Sequence, residues 1–138
     1  MYTYKKNTLT AEEWLHLREH TTWTLHSLAD FKSALQGSLL TVSAYHGKKL
    51  IGMGRLIGDG FLCFYLQDII ILPEYRMQGI GSKIVSTILE DIQKNATTSI
   101  TVGLMSAKGA ESFYEKLGFE KRLGIPKGYG MEIIIQPN

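Results

Sequence analysis

Residues 75–84 read YRMQGIGSKI, and two glycines, Gly79 and Gly81, stand where an apolar helical pattern begins. The first few backbone N–H groups of a helix have no internal partners, and the macrodipole adds partial positive charge there. Glycine carries no Cβ to block an approach, so such a turn can cradle a phosphate. The amides concerned are those around the two glycines. Arg76, just ahead of them, could add a charge-assisted contact or stand solvated in a loop. The same two glycines would also suit a helix packed tightly on a sheet.

Two familiar phosphate loops do not fit. A Walker A loop needs GxxxxGK followed by Ser or Thr, whereas here Ser82 precedes Lys83 and position 76 is Arg76. A dinucleotide-binding fingerprint needs a third glycine where Ile84 stands, and belongs after the first strand of its domain. This turn lies mid-chain, behind Pro73 and Glu74.

The elements that must position the turn follow from periodicity. A short strand is expected in MYTYKK, then a helix behind the capping-box pair Thr10 and Glu13. A second helix should start at Ser27, with Leu28, Phe31 and Leu35 on its apolar stripe and Gly37 as its stop. LLTVSAY, KKLIGMGRLI and FLCFYLQDIIIL read as three strands separated by the turns HGKK and GDG. Ile80, Ile84, Val85, Ile88, Leu89 and Ile92 make the buried face of a third helix. SITVGLM is a fifth strand. Ser106 is expected to cap a fourth helix that ends at Gly118. FEKRL and GMEIIIQ read as two closing strands. The result is a mixed-sheet α/β (α+β) domain over residues 1–138, with about seven strands, four helices on both faces and a parallel crossover through the third helix.

Composition limits the function classes. Fifteen Lys and Arg against thirteen Asp and Glu leave a net charge of +2, too mild to imply nucleic acid or membrane as a partner. The single cysteine, Cys63, permits no internal disulfide and suits a reducing compartment. MYTYKKNTLT has no apolar signal core, and no run reaches the length of a membrane span. A soluble cytoplasmic protein is expected.

ILPEYRMQGIGSKIV resembles motif A of the GNAT superfamily of acyl-CoA-dependent N-acyltransferases, with Arg76, Gly79 and Gly81 on the signature positions. AESFYEKLGFEKR is similar to its motif B, matched by Ala110, Phe113, Tyr114, Lys116, Gly118 and Phe119. The order of elements fits the GNAT fold along essentially the whole chain. The resemblance implies acetyl-CoA as cosubstrate and no metal. It implies that the amides of Met77, Gln78, Gly79, Ile80, Gly81 and Ser82 hold the pyrophosphate of coenzyme A. The pantetheine arm would then pair with the strand around Ile69, Ile70 and Ile71, which in the family splays from its parallel neighbour. Lys83, Lys108 and Lys116 are candidates for the 3′-phosphate, although each also suits a solvated surface.

For chemistry, the resemblance implies direct attack by an amine, a backbone N–H of Ile70 or Ile71 polarising the thioester carbonyl, and Tyr114 protonating the departing thiolate. Tyr114 lies about 100° around the helix from Phe113, so a cleft-facing hydroxyl and a core position are both open on the residues alone. Two positions depart from the family. Gln67 stands where some relatives carry a catalytic Glu, leaving the base unassigned, with Glu74 and His46 as weaker candidates. Ala107 stands where many relatives have Asn. On a regular strand Asp68 would point away from Gln67. His16 and His20 are one helical turn apart but suggest no third metal ligand. Trp14, Trp23 and Tyr129 are candidates for the acceptor side.

The sequence therefore reads as an N-acetyltransferase acting on a primary amine of a small molecule, with a homodimer possible. Its rivals are a protein or peptide N-acetyltransferase and a non-catalytic acyl-CoA-binding module.

Overall fold

The computed structural model describes residues 1–137. Chain contacts separate it into two compact units, Met1–Leu104 and Met105–Asn138.

The first unit is one five-stranded sheet with helices on both faces. Its elements are β1 (Tyr2–Lys6), α1 (Ala11–Arg18), α2 (Leu28–Gln36), β2 (Leu40–His46), β3 (Lys49–Gly58), β4 (Cys63–Ile71), a 3₁₀ turn (Pro73–Tyr75), α3 (Ile80–Asn95) and β5 (Thr101–Gly103). The strands lie in the order β1-β2-β3-β4-β5. The first three junctions are antiparallel and the last is parallel, closed through α3. Every expected element of this unit is present.

Local chemistry explains the boundaries. The Thr10 side chain accepts from the Glu13 N–H while the Glu13 carboxylate accepts from the Thr10 N–H, the complete capping box. Ser27 caps α2 through the Asp30 N–H. Asp59 gathers the N–H groups of Phe61, Leu62 and Cys63 and so turns the β3–β4 hairpin. Those bonds, led by the one from Phe61, hold its carboxyl below the usual range.

Strand alternation assigns the faces. Met53 and Arg55 face α1 and α2, while Gly52 and Gly54 lie beneath α3. A Cβ on Gly54 would stand 2.5 Å from Ile84 Cγ2 and 2.9 Å from Ile69 Cδ1, so glycine is what lets the helix descend onto the sheet. Ile80, Ile84, Val85, Ile88 and Ile92 are buried in that contact. On the other face Trp14, Leu17 and Phe31 are buried, with the Trp14 and Phe31 rings 4.4 Å apart.

Within the second unit, α4 (Glu111–Lys116) stops before Gly118 as expected. Its cap differs: Ala110 takes the N-cap position, and the Ser106 hydroxyl donates to the Ala107 carbonyl instead. The two closing strands are not formed. Among the described residues FEKRL and GMEIIIQ have no ladder partner, and a strand without a neighbour leaves its backbone polar groups unpaired. The segment folds back locally, with Arg122 Nε donating to the Gly128 carbonyl at 2.7 Å and the Tyr129 ring lying over Gly124. The apolar side chains of Met131 to Ile135 are exposed. Among the described residues the sheet thus has five strands rather than seven.

Candidate active site

The turn after β4 is built by two left-handed residues. Met77 has φ 62° and Gly79, the N-cap of α3, has φ 81°. Together they bring consecutive amides to the helix start. Among the described residues, none of the N–H groups from Met77 to Ser82 donates to another group of the chain. The first internal bond of the helix runs from Lys83 N–H to the Gly79 carbonyl, at 3.0 Å. Arg76 through Gly79 are exposed, and nothing lies within 4 Å of a Cβ built on Gly79. This is an accessible row of donors at the positive end of a helix of 16 residues, and it fits a diphosphate.

Side chains brace the loop from β1 and the β2–β3 hairpin. The Tyr2 hydroxyl donates to Gln78 Oε1, and its ring packs edge-on against His46 and Tyr75. His46 Nδ1 lies 3.0 Å from the Tyr75 hydroxyl. Lys49 pairs with Glu74 at 3.3 Å. The two weaker base candidates are thus engaged in bracing. The Glu74 carboxyl is held low, first by its own backbone N–H and then by Lys49, which leaves it a poor proton acceptor.

The strand beside the loop is open along one edge. The β4–β5 ladder runs from Cys63↔Thr101 to Tyr65↔Gly103 and ends there. From Leu66 to Ile71, β4 is paired only with β3 among the described residues. Leu72 N–H donates to the Ile51 carbonyl, so alternation turns the Ile70 backbone toward β3 and the Ile69 and Ile71 backbones toward the open edge. The Ile71 carbonyl accepts from Arg76 Nε at 3.2 Å, in agreement with that direction. Of the two N–H groups expected to face a bound carbonyl, the geometry favours Ile71 over Ile70. Arg76 touches the strand end, and its guanidinium links strand and loop.

One expectation is overturned on β4. Asp68 and Gln67 do not face opposite ways. Arg55 pairs with Gln67 and Met53 with Ile70, so two residues, Asp68 and Ile69, oppose Gly54 alone. Asp68 has φ 54°. This bulge interrupts alternation and sets Gln67 and Asp68 on the wall of one pocket. That pocket, about 340 Å³, lies under α1 and α2 and is also lined by Trp14, Arg18, His26 and Arg55. Asp68, with 1% of its side chain exposed, is held by Arg18 and, at 3.2 Å, by Arg55. Sequence reasoning had Trp14 here but missed Arg18 and Arg55. Their signal would have been two arginines on apolar-facing positions, legible only once the bulge is known. Trp23 is within cation–π range of Arg18, at 5.6 Å.

Tyr114 lies on α4 in the second unit. Its ring meets Phe113 and Phe119 edge-on at 4.9 and 5.9 Å. Its hydroxyl has no hydrogen-bond partner among the described residues, so backbone does not satisfy it. Burial pushes its pKa above the usual tyrosine value, which keeps it protonated at neutral pH. Lys83, Lys108 and Lys116 are exposed. His16 and His20 stack edge-on at 5.2 Å, and the described residues contain no group of three side chains able to hold a metal ion.

Comparison with known proteins agrees with this geometry. The family model of the GNAT acetyltransferase domain matches residues 5–127. A probable acetyltransferase of unknown function from meticillin-resistant Staphylococcus aureus superposes with a TM-score of 0.87 at 32% identity, covering 98% of this chain and 100% of that one. A GNAT-family acetyltransferase of Streptococcus pneumoniae gives 0.83 at 33% identity, covering 99% and 100%. An uncharacterised N-acetyltransferase of Pyropia yezoensis is 28% identical over 103 residues, 72% of this chain and 58% of that protein. The chain spans about half the length of the curated relatives it matches. With a family match over nearly its whole length, an open β4 edge and a free amide row at α3, the chain belongs to the GNAT family of acetyltransferases.

Proposed function

We propose that this chain transfers the acetyl group of acetyl-CoA directly to a primary amine of a small molecule, as a soluble cytoplasmic enzyme. The observation that carries the reading is the row of unpartnered amides from Met77 to Ser82, set at the end of the open β4 edge. The family match crosses both units, which supports reading them as parts of one functional domain.

Acetyl-CoA would supply an activated acyl group as a thioester. The amides and the Arg76 side chain would grip the diphosphate, and the exposed backbone groups of Ile69 would pair with the amide-bearing arm. The N–H of Ile71 would donate to the acyl oxygen. Tyr114, protonated and without a partner, would give its proton to the leaving sulfur. Gln67 cannot serve as a base, and the Asp68 carboxylate is taken up by two arginines. The amine therefore reacts after losing its proton to solvent.

A panel of amines with acetyl-CoA and thiol detection tests the reading. CoA release with at least one amine, together with a raised Tm in CoA, is the expected result. A raised Tm without release for any amine would replace catalysis by simple binding.

A further inference from the structure

The pocket under α1 and α2 holds an unusual excess of hydrogen-bond donors. Two guanidiniums, Arg18 and Arg55, share the single buried carboxylate of Asp68, leaving one positive charge unmatched in a partly buried place. The Arg18 and Arg55 side chains are only 14% and 12% exposed. Asp30 also reaches the pocket, on its exposed side, and forms no ion pair with either arginine.

The remaining contacts of the two arginines do not use all their donors. Arg18 Nε donates to the Thr24 carbonyl at 2.7 Å, and Arg55 Nη1 to the Ser38 hydroxyl at 3.2 Å. Each guanidinium has five N–H donors, so both keep some free. Trp14, also on the wall, supplies a second and independent sign. Trp14 is 2% exposed, and its indole N–H is buried with no hydrogen-bond partner among the described residues. An indole nitrogen can only donate, and a buried donor left unpaired is costly. The Arg55 guanidinium lies 4.6 Å above the Trp14 ring, so the unmatched donors occupy neighbouring positions.

The unmet groups at the buried end of this cavity, the Trp14 indole N–H and the free guanidinium N–H groups, are donors, and the charge of Arg18 and Arg55 exceeds that of Asp68 there, which selects an anionic acceptor of hydrogen bonds. A planar carboxylate suits the forked guanidiniums. We infer that this pocket binds a carboxylate carried by the acceptor, so that the substrate is an amino acid in the broad sense: one molecule with a reactive amine and an acidic group. The inference rests on the N-acetyltransferase reading, because the pocket wall includes Gln67 and Asp68 on the strand that leads to Ile71. Gln67 and Ile71 are four residue steps apart along the strand, roughly 13 Å at most and less across the bulge. The two groups of the acceptor are therefore several bonds apart rather than on one carbon.

The test uses the full chain and ω-amino acids of increasing length, from glycine to aminooctanoate, each with its matching amide. The longer acids should exceed their amides in kcat/KM by roughly tenfold or more, the scale of one charge-assisted hydrogen bond. Trp14→Phe, which keeps an aromatic ring but no donor, should lower that ratio. Amides equal to or better than acids at every length would overturn the inference. A second readout needs no turnover: the CoA-saturated protein is titrated with N-acetyl-aminohexanoate and N-acetyl-aminooctanoate while the indole N–H of Trp14 and the Nε–H signals of Arg18 and Arg55 are followed by NMR. Saturable shifts at these groups are expected. If no amine is acetylated but the signals shift, the pocket assignment stands while the transfer reading fails. If no signal moves, the pocket assignment fails whatever the turnover.

Discussion

Arg18, in the last turn of α1, and Asp68, in the bulge of β4, form an ion pair across fifty positions of sequence. Arg55 of β3 completes it, so one buried carboxylate ties a helix and two strands together. Such a group cannot be removed cheaply, because two partly buried cations would lose their partner. Asp68→Asn isolates the charge, since asparagine tolerates the left-handed backbone that Asp68 adopts at φ 54°. The variant should lose about 3–5 kcal/mol of stability. Urea unfolding monitored by circular dichroism checks this, and a loss well below that range would mean the arginines find other partners.

Gly54 lies against α3 with no room for a methyl group: three side-chain atoms fall within 3.2 Å of its virtual Cβ. Gly54→Ala should destabilise by about 1–3 kcal/mol through overpacking. The offending atoms are Ile84 Cγ2 and the Cδ1 methyls of Ile69 and Ile88, so trimming Ile69 to valine in the same chain, which removes its Cδ1, should recover part of the loss. A double-mutant cycle on Tm measures the recovery.

Gly79 has open space around it but a left-handed backbone, so its substitutions separate strain from access. Gly79→Ala should cost about 1–2 kcal/mol of stability from backbone conformation. Gly79→Asp adds a negative charge at the helix start and should weaken CoA binding by roughly tenfold or more, which corresponds to 1.4 kcal/mol. Isothermal titration with CoA reports both variants, and wild-type affinity in Gly79→Asp would remove the cradle from the proposal.

Tyr114 is assigned the proton for the leaving sulfur. Tyr114→Phe should lower kcat by about a hundredfold or more while leaving CoA affinity near wild type. The pH profile gives a second reading. Because burial raises the tyrosine pKa, the protonated form persists through neutral and mildly alkaline pH, and wild-type kcat should hold there. It should fall only as pH climbs past the ordinary tyrosine value near 10. A descending limb near neutrality that Tyr114→Phe abolishes would contradict the assignment of the cause.

Much of this arrangement was legible beforehand, for identifiable reasons. Thr10 with Glu13 announces α1 because capping is local chemistry. Ile80, Ile84, Val85, Ile88 and Ile92 announce α3 because one face of a helix repeats. The bulge at Asp68 was not legible, because it depends on which residues of β3 oppose β4, a pairing that no window of β4 contains. With it went the shared wall of Gln67 and Asp68 and the convergence of Arg18 with Arg55. At the other end, the alternation in GMEIIIQ signals strand propensity, yet propensity alone does not supply a neighbour to pair with.

The hydroxyl of Tyr2 on Gln78 has a mechanical meaning. Five consecutive pairs, from Tyr2↔His46 to Lys6↔Val42, set the register of the outermost strand. A slip of one position would turn Tyr2 to the opposite side of the sheet and unlatch the amide row from its support. Stiffness of the anion-binding turn thus depends in part on the margin of the sheet farthest from β5, on a strand that supplies none of the turn's own residues.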